Sequence, residues 1–249
     1  FDLLTYGHYT LSFSKENVDH SVCPEDDIYY VNGWDVSSIA QHVTGYAPLE
    51  NPGQLIAADV SLDGTISGLD ASLVAQYSVD LISNLNEMNT HWIFKPSADS
   101  TLDIYTDLIK DNGEYVIEYS PLVIDDLNRD IYAYRLGDVN GNYCHDQLSR
   151  YNNGQVQFTN IAIDYSPVIT LPIIVSEPTF IEGMDIEIGY EEDAFSPHSV
   201  TFNTTNIKTD RYNSVSNLLS KDGSIKTVTW AIEEPQIVEG KIGEVSFNW

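Results

Sequence analysis

Residues 57–79, with the sequence AADVSLDGTISGLDASLVAQYSV, decide how the rest of the chain is interpreted. Residues that can offer an oxygen atom recur here on alternate positions and end at a final aspartate; they are Asp59, Ser61, Asp63, Thr65, Ser67 and Asp70. Gly64 lies within this series, and the apolar Ile66 follows it two places later. Because successive side chains of an extended loop point in opposite directions, oxygens on every second residue can converge on one ion. The spacing therefore predicts a site for a single hard cation.

The positions match a twelve-residue EF-hand loop, which takes ligands from places 1, 3, 5, 7, 9 and 12 and has a glycine at place 6. Thr65 offers its main-chain carbonyl, Ser67 binds through a water, and Asp70 offers a carboxylate from the first turn of the next helix. The alternative is a polar turn before a helix capped by Asp70, but a turn needs only two of these residues. We therefore predict that the loop binds Ca²⁺. Asp70 is shorter than the usual Glu, which predicts a dissociation constant of about 10⁻⁴ to 10⁻³ M.

This stretch resembles the second half of a type I dockerin-like module, a pair of calcium-loop helices found in secreted bacterial proteins. A similar segment lies upstream, where WDVSSIAQHVTGY aligns with LDASLVAQYSV and places Asp35 on Asp70 and Gln41 on Gln76. The resemblance implies two helices. The first helix is expected from about Asp35 to Thr44 with Gly45 as its stop signal, and the second ends near Leu81. A linker over residues 46–55 is expected between the two repeats.

The first repeat lacks the front half of a calcium loop, because Pro24 and Ile28 stand where Asp59 and Asp63 stand in the second repeat. A separate front half occurs in GDVNGN, residues 137–142, but its twelfth place is Ser149. We therefore formulate the hypothesis that a front half and a distant back half build a second calcium site, from Asp138, Asn140, Asn142 and Asp35. The alternative, a plain Asn-Gly turn, stays open at this point.

The two cysteines flank these half-loops. Cys23 comes just before the degenerate loop, and Cys144 comes just after GDVNGN. In an exported protein such a pair predicts a disulfide, which would stabilise by up to about 4–5 kcal/mol in the chain-entropy model. Two buried free thiols are the alternative.

Composition restricts the class of partner. The chain has 249 residues with 38 acidic and 11 basic side chains, a net charge of -27. Such a charge excludes nucleic-acid backbones and argues against anionic membrane surfaces, whereas it favours cations. Aromatic residues make up 11% of the chain, which is too many for a disordered acidic protein. There is no membrane-spanning apolar run, and we expect a mature part of an exported protein.

We predict a protein that is mostly β with a small α part, in three regions. Residues 1–17 are expected to be terminal strands of an incomplete β-sandwich, and residues 18–148 a dockerin-like module with appended strands. Residues 149–249 are expected to form an incomplete antiparallel sandwich. From its strand spacing, the early PTFIEGMDIEIGY (residues 178–190) and the late GKIGEVSFNW (residues 240–249), this region resembles the first part of a cohesin. In that region Val228, Trp230 and Ile232 should share one face.

No catalytic motif was found: there is no phosphate-binding glycine loop, no Gly-x-Ser-x-Gly and no His-Glu-x-x-His. We therefore predict a non-catalytic, extracellular calcium-binding structural protein that forms surface fibres or protein–protein assemblies through its dockerin-like and cohesin-like domains and by strand addition. The expected partner is either a further copy of the chain, in a polymer, or a cohesin-type or dockerin-type protein. One alternative is a non-catalytic tethering fragment of a secreted polysaccharide-degrading enzyme. Another is a carbohydrate-binding module that uses Trp92, Tyr105 and Tyr119. Asn203 begins a glycosylation sequon.

Overall fold

The computed structural model describes residues 7–13, 31–96, 115–122, 131–141, 167–191, 193–202, 210–219 and 223–248. Within these ranges the fold is mostly β with three helices, and every described strand pairing is antiparallel. The predicted fold class is confirmed at this level. The dockerin-like and cohesin-like assignments and the region boundaries stay predictions. None of the described helices is long and apolar enough to cross a membrane.

The helices are α1 (Gly33–Thr44), α2 (Pro52–Ala58) and α3 (Gly68–Ser78). The α1 helix begins two residues earlier than predicted, because Asn32 is its cap and Asp35 is the third helical residue of a capping box. Gly45 ends it with φ +78°, as predicted. The α2 helix lies partly in the predicted linker, where the start signal Asn51-Pro52 was overlooked.

The described strands, in chain order, are β1 (Gly7–Phe13), β2 (Trp92–Pro96), β3 (Tyr115–Leu122), β4 (Ile131–Arg135), β5 (Val168–Ile181), β6 (Gly183–Gly189), β7 (Ser196–Thr201), β8 (Tyr212–Asn217), β9 (Ser224–Ala231) and β10 (Gln236–Asn248). They pair as β1–β3, β2–β4, β5–β10–β7 and β6–β9–β8. The N-terminal strand β1 therefore pairs within this chain, with β3. The sequence also predicts strands over residues 100–109 (STLDIYTDLI) and 156–165 (VQFTNIAIDY), and both lie outside the described residues.

Strand β9 has all eight of its residues buried, because one of its faces packs on the helices and the other on the second sheet. Ile225 and Ala231 belong to a core between the two three-stranded sheets. Val228 and Trp230 belong to the core of the helices, and Ile232 packs against it, so the predicted shared face is confirmed. The helices thus cover one face of the β6–β9–β8 sheet, and the other face packs on β5–β10–β7.

Hydrogen bonds and one ion pair connect α1 and the residues after α3 to this sheet. The Ser37 hydroxyl donates to the carbonyl of Ala231 at 2.9 Å. The Asn217 amide donates to the carbonyl of Val79, also at 2.9 Å. A buried lysine of β9, Lys226, pairs with Asp80 at 2.8 Å. These bonds fix where the helices sit as well as how closely they pack.

The closest approach of helix and sheet is at Gly183, and it requires a glycine. A Cβ atom at this position would overlap the carbonyl carbon and oxygen of Gly33 at the start of α1. At Gly189, six residues later in the same strand, a Cβ would meet nothing within 4 Å.

We therefore expect Gly183→Ala to lower the free energy of unfolding by about 1–3 kcal/mol, since the backbone of α1 must move away from β6. The measurement is urea unfolding followed by circular dichroism. Gly189→Ala is the matched control and should change stability by no more than about 0.5 kcal/mol. Equal effects of the two substitutions would contradict the close packing of α1 on β6.

Candidate metal centre

The loop from Asp59 to Asp70 joins α2 to α3 and is folded around its first and last carboxylates. Asp59 is 1% exposed, and its Oδ2 accepts from the main-chain N–H of Gly64 at 3.1 Å. Asp70 is fully buried; its Oδ1 accepts from the N–H of Ser61 at 3.0 Å and its Oδ2 from the N–H of Ser67 at 2.8 Å. These bonds draw both ends of the loop together, so the six predicted residues occupy one compact turn.

The middle of the loop lies at the surface. Asp63 is exposed, and its Oδ1 accepts from the N–H of Thr65 at 2.9 Å. Gly64 adopts φ +94°, a conformation that favours glycine and permits the sharp turn. Ile66 packs partly buried against the helical core, as expected for the apolar eighth place. The loop thus has buried ends and an exposed carboxylate in its middle.

The donor set suits calcium in its chemistry. Among the described residues, no three His, Cys, Asp or Glu side chains are placed so that they could hold a metal ion by themselves. A site here therefore needs the hydroxyl and main-chain oxygens of Ser61, Thr65 and Ser67 as well as the carboxylates. All of these are hard oxygen ligands, the kind that Ca²⁺ prefers.

The second predicted cluster meets at the start of α1. Asp35 is fully buried, and its Oδ1 accepts from the main-chain N–H of Val139 at 2.9 Å and of Asn140 at 3.1 Å. Its Oδ2 accepts from the N–H of Asn32 at 3.1 Å. Burial, and then the negative charge of Asp138, raise the pKa of Asp35 well above its ordinary value. The structure therefore brings Asp138 and Asn140 to Asp35 across more than a hundred residues of chain.

The segment from Leu136 to Val139 is held there by the helical core. The N–H of Gly137 donates to the carbonyl of Ala57 in α2 at 2.8 Å, and that of Leu136 donates to the carbonyl of His91 at 2.9 Å. Leu136 and Val139 are both buried in the helical cluster. The front half-loop is thus fixed beside α1 by packing and by main-chain bonds.

The two clusters share one hydrogen-bond arrangement. Asn140 is two residues after Asp138, just as Ser61 is two residues after Asp59. Both Asn140 and Ser61 donate their main-chain N–H to an aspartate in the first turn of a helix, at 3.1 and 3.0 Å. In both helices that aspartate also accepts from the N–H of the capping residue. The discontinuous cluster therefore reproduces the pattern of the continuous loop.

Some predicted residues lie outside the described ones, namely Asn142, Cys23, Cys144 and Asn203. The disulfide therefore stays a prediction. Sequence reasoning overlooked Asp185 of β6, whose carboxylate accepts from the N–H of Gly33 at 2.9 Å and so meets the start of α1. No local signal identifies it, because Asp185 is one of several acids in an alternating strand and its partner lies 152 residues away.

Comparisons with known protein families, with curated proteins and with solved structures found no match. The resemblance to dockerins and cohesins thus rests on the residues quoted above.

The raised pKa of Asp35 gives a prediction for calcium-free protein. A carboxyl whose pKa is raised on folding stabilises the protein at low pH, and this contribution is lost as the pH rises through the folded pKa. We expect Asp138→Asn to remove a charge that repels the Asp35 carboxylate and so, at pH 7 in EGTA, to raise the free energy of unfolding. At pH 4 the gain should shrink towards zero. Urea unfolding at both pH values measures it.

Glu87→Gln serves as the control, since it removes the same charge from an exposed position. It should leave the difference between pH 4 and pH 7 unchanged. A loss of stability in Asp138→Asn at pH 7 without calcium would contradict the repulsion between Asp138 and Asp35.

Proposed function

We propose that the protein is a non-catalytic, extracellular structural or assembly protein whose helices are held in place by calcium. The observation that carries this proposal is the arrangement shared by the loop 59–70 and the cluster at Asp35. In each, the residue at place 3 of the loop donates its main-chain N–H to a buried aspartate in the first turn of a helix. Two copies of one arrangement, each with the oxygens of a calcium loop, support a common role.

The ion would be held by carboxylates that repel one another without it. Asp59, Asp63 and Asp70 place three carboxyl groups in one loop, and Asp35 and Asp138 place two in the other cluster. Bound calcium offsets this repulsion, and it binds only the folded arrangement. At a calcium concentration of a hundred times the dissociation constant, each site would stabilise the fold by about 2.7 kcal/mol.

The sites lie where they would control the orientation of both helices on the sheet. Asp35 is in the first turn of α1 and Asp70 in the first turn of α3. Since α1 packs on β6 and β9 and the residues after α3 are tied to β8 and β9, ordering these first turns orders the contact between helices and sheet. Calcium would thus act by rigidity.

We expect calcium to raise the free energy of unfolding. When this free energy is plotted against RT ln of the calcium concentration, the slope should approach two, which corresponds to two ions bound per chain. Asp59→Asn and Asp138→Asn should each reduce the slope to one, because each removes a ligand from one site. The double variant should not respond. Thermal and urea unfolding across a calcium series measure these slopes.

Glu87→Gln should keep the slope of the unmodified protein. A slope of one that Asp138→Asn leaves unchanged would refute the discontinuous site alone. A slope of zero in the unmodified protein would refute calcium binding altogether.

A second part of the proposal is self-association through an open sheet edge. Strand β5 lies at the edge of its sheet, and among the described residues no strand pairs with its outer side. Near its end Phe180 pairs with Ile237 of β10, and these side chains are 62% and 71% exposed. An exposed apolar pair beside an open edge favours contact with another chain, and a second copy is the proposed partner.

In sedimentation velocity with calcium, the unmodified protein should associate as its concentration rises. Replacing both Phe180 and Ile237 by Ser should abolish association, because the apolar area buried between copies is lost. Leu219→Ser is the control: Leu219 is 74% exposed but follows β8 in the other sheet. A monomer at every concentration would refute this part of the proposal.

A further inference from the structure

A cleft of about 470 Å³ lies beside α2 and β4, next to the segment that meets Asp35. Its volume falls within the range of pockets that take small ligands, roughly 300–1,000 Å³. Its walls combine aromatic rings, amides and ionisable groups from separate parts of the chain; they include Asn51, Gln54, Trp92, Tyr134, Arg135 and Asp138. Neither of the two calcium clusters accounts for this combination.

The cation in the cleft is Arg135, which is 7% exposed. Its Nη1 donates to the carbonyl of His91 at 3.2 Å, and its Nη2 reaches the hydroxyl of Tyr77 only at 3.5 Å. Its Nε has no partner among the described residues. No described carboxylate lies within 4 Å of the guanidinium to form an ion pair. A buried guanidinium without an anion is costly, so this group is prepared for an acceptor that the described residues do not supply.

The surroundings of Arg135 fit this interpretation. Burial, and then the positive charge of Arg135, lower the pKa of His91 to about 4, so His91 is neutral near pH 7 and adds no second charge. Arg135 also lies over the ring of Trp92, 5.8 Å from its centre. Trp92 itself is 7% exposed, so it forms part of the wall and not the exposed platform considered for sugar stacking. Tyr105 and the side chain of Tyr119 lie outside the described residues.

The cleft is also lined by two amides with remaining hydrogen-bonding capacity, Asn51 and Gln54. The Asn51 side chain accepts from the N–H of Gly53 at 2.8 Å, and the Gln54 side chain donates to the carbonyl of Val139 at 3.2 Å. Each amide thus uses only one of its two ends within the described residues. An amide end can donate to or accept from a hydroxyl group. The cleft therefore pairs a site for an anion with sites for hydroxyls.

We propose that this cleft binds a sugar acid. Its carboxylate pairs with the Arg135 guanidinium, whose fork matches the two carboxylate oxygens, and its hydroxyls bond to Asn51 and Gln54. A neutral sugar leaves the charge of Arg135 unpaired, and a simple carboxylate leaves the amides unused. The ligand is either a free sugar acid or a uronate residue of a polysaccharide. The cleft shares Asp138 and Asn140 with the proposed calcium cluster at Asp35, whereas Phe180 and Ile237, proposed for self-association, do not line it.

The test is isothermal titration of the full chain with glucuronate, with glucose as the neutral match and acetate as the carboxylate without hydroxyls. Glucuronate should bind at least about tenfold more tightly than glucose or acetate, as expected for a hydrogen bond to a charged group. Arg135→Gln should weaken glucuronate binding by about tenfold or more and leave glucose unchanged. Arg211→Gln is the control, because Arg211 pairs with Glu234 and does not line the cleft. Oligoglucuronate distinguishes the sources: tighter binding than the monomer indicates a polysaccharide, and weaker binding indicates a free sugar acid.

Gln54→Ala keeps the test valid if Arg135→Gln does not fold. It should weaken glucuronate binding several-fold while acetate binding stays the same, because only the hydroxyl contacts are lost. Melting temperature reports whether each variant is folded. Three results would overturn the proposal: no saturable glucuronate binding, equal binding of glucose or acetate, or tighter binding of an acidic peptide than of glucuronate.

Discussion

The fold depends on two aspartates, Asp35 and Asp70, that lie in the first turns of helices and have no access to water. A carboxylate removed from water must be compensated by hydrogen bonds or by a cation, and otherwise it becomes neutral. Asp70 obtains its bonds from its own loop, whereas Asp35 obtains two of its three from a segment that follows β4. This requirement places the segment around Val139 against α1 and thereby joins β2 and β4 to the helices.

The helices in turn complete a sheet that would otherwise expose one apolar face. Strand β9 has the pattern of a central strand that is covered on both sides, and it carries a buried lysine only because Asp80 neutralises it. Trp230 on one side and Ile225 on the other belong to different cores. The helical unit and the sandwich are therefore coupled through one strand, and a change in the helices reaches the sheets directly.

Local features could be predicted from the sequence because local physics determines them. The ligand spacing in residues 59–70, the stop at Gly45 and the shared face of Val228 and Trp230 depend on turn geometry and on periodicity. Strand β8, with the sequence YNSVSN, was overlooked since it has little apolar alternation. The spacing of Leu69, Leu73, Val74 and Tyr77 predicts one buried face of α3, but Leu69, in the first turn of the helix, is 53% exposed.

Tertiary features were less accessible. The meeting of Asp138 with Asp35 could be formulated as a hypothesis because one repeat lacks a front half and GDVNGN lacks a back half. The covering of β9 by the helices and the buried charge of Arg135 had no comparable signal. Both arise from side chains that are ordinary in their own segments and become unusual only through their neighbours in space.

The separation of Asp35 from Asn140 by 105 positions has a consequence for biogenesis. During synthesis α1 leaves the ribosome long before the residues that donate to Asp35 are made. The nascent helix must therefore keep this carboxyl group solvated or protonated until residue 140 emerges. Only then can Asp35 be buried against Val139 and Asn140, so this part of the fold is completed late although α1 is translated early.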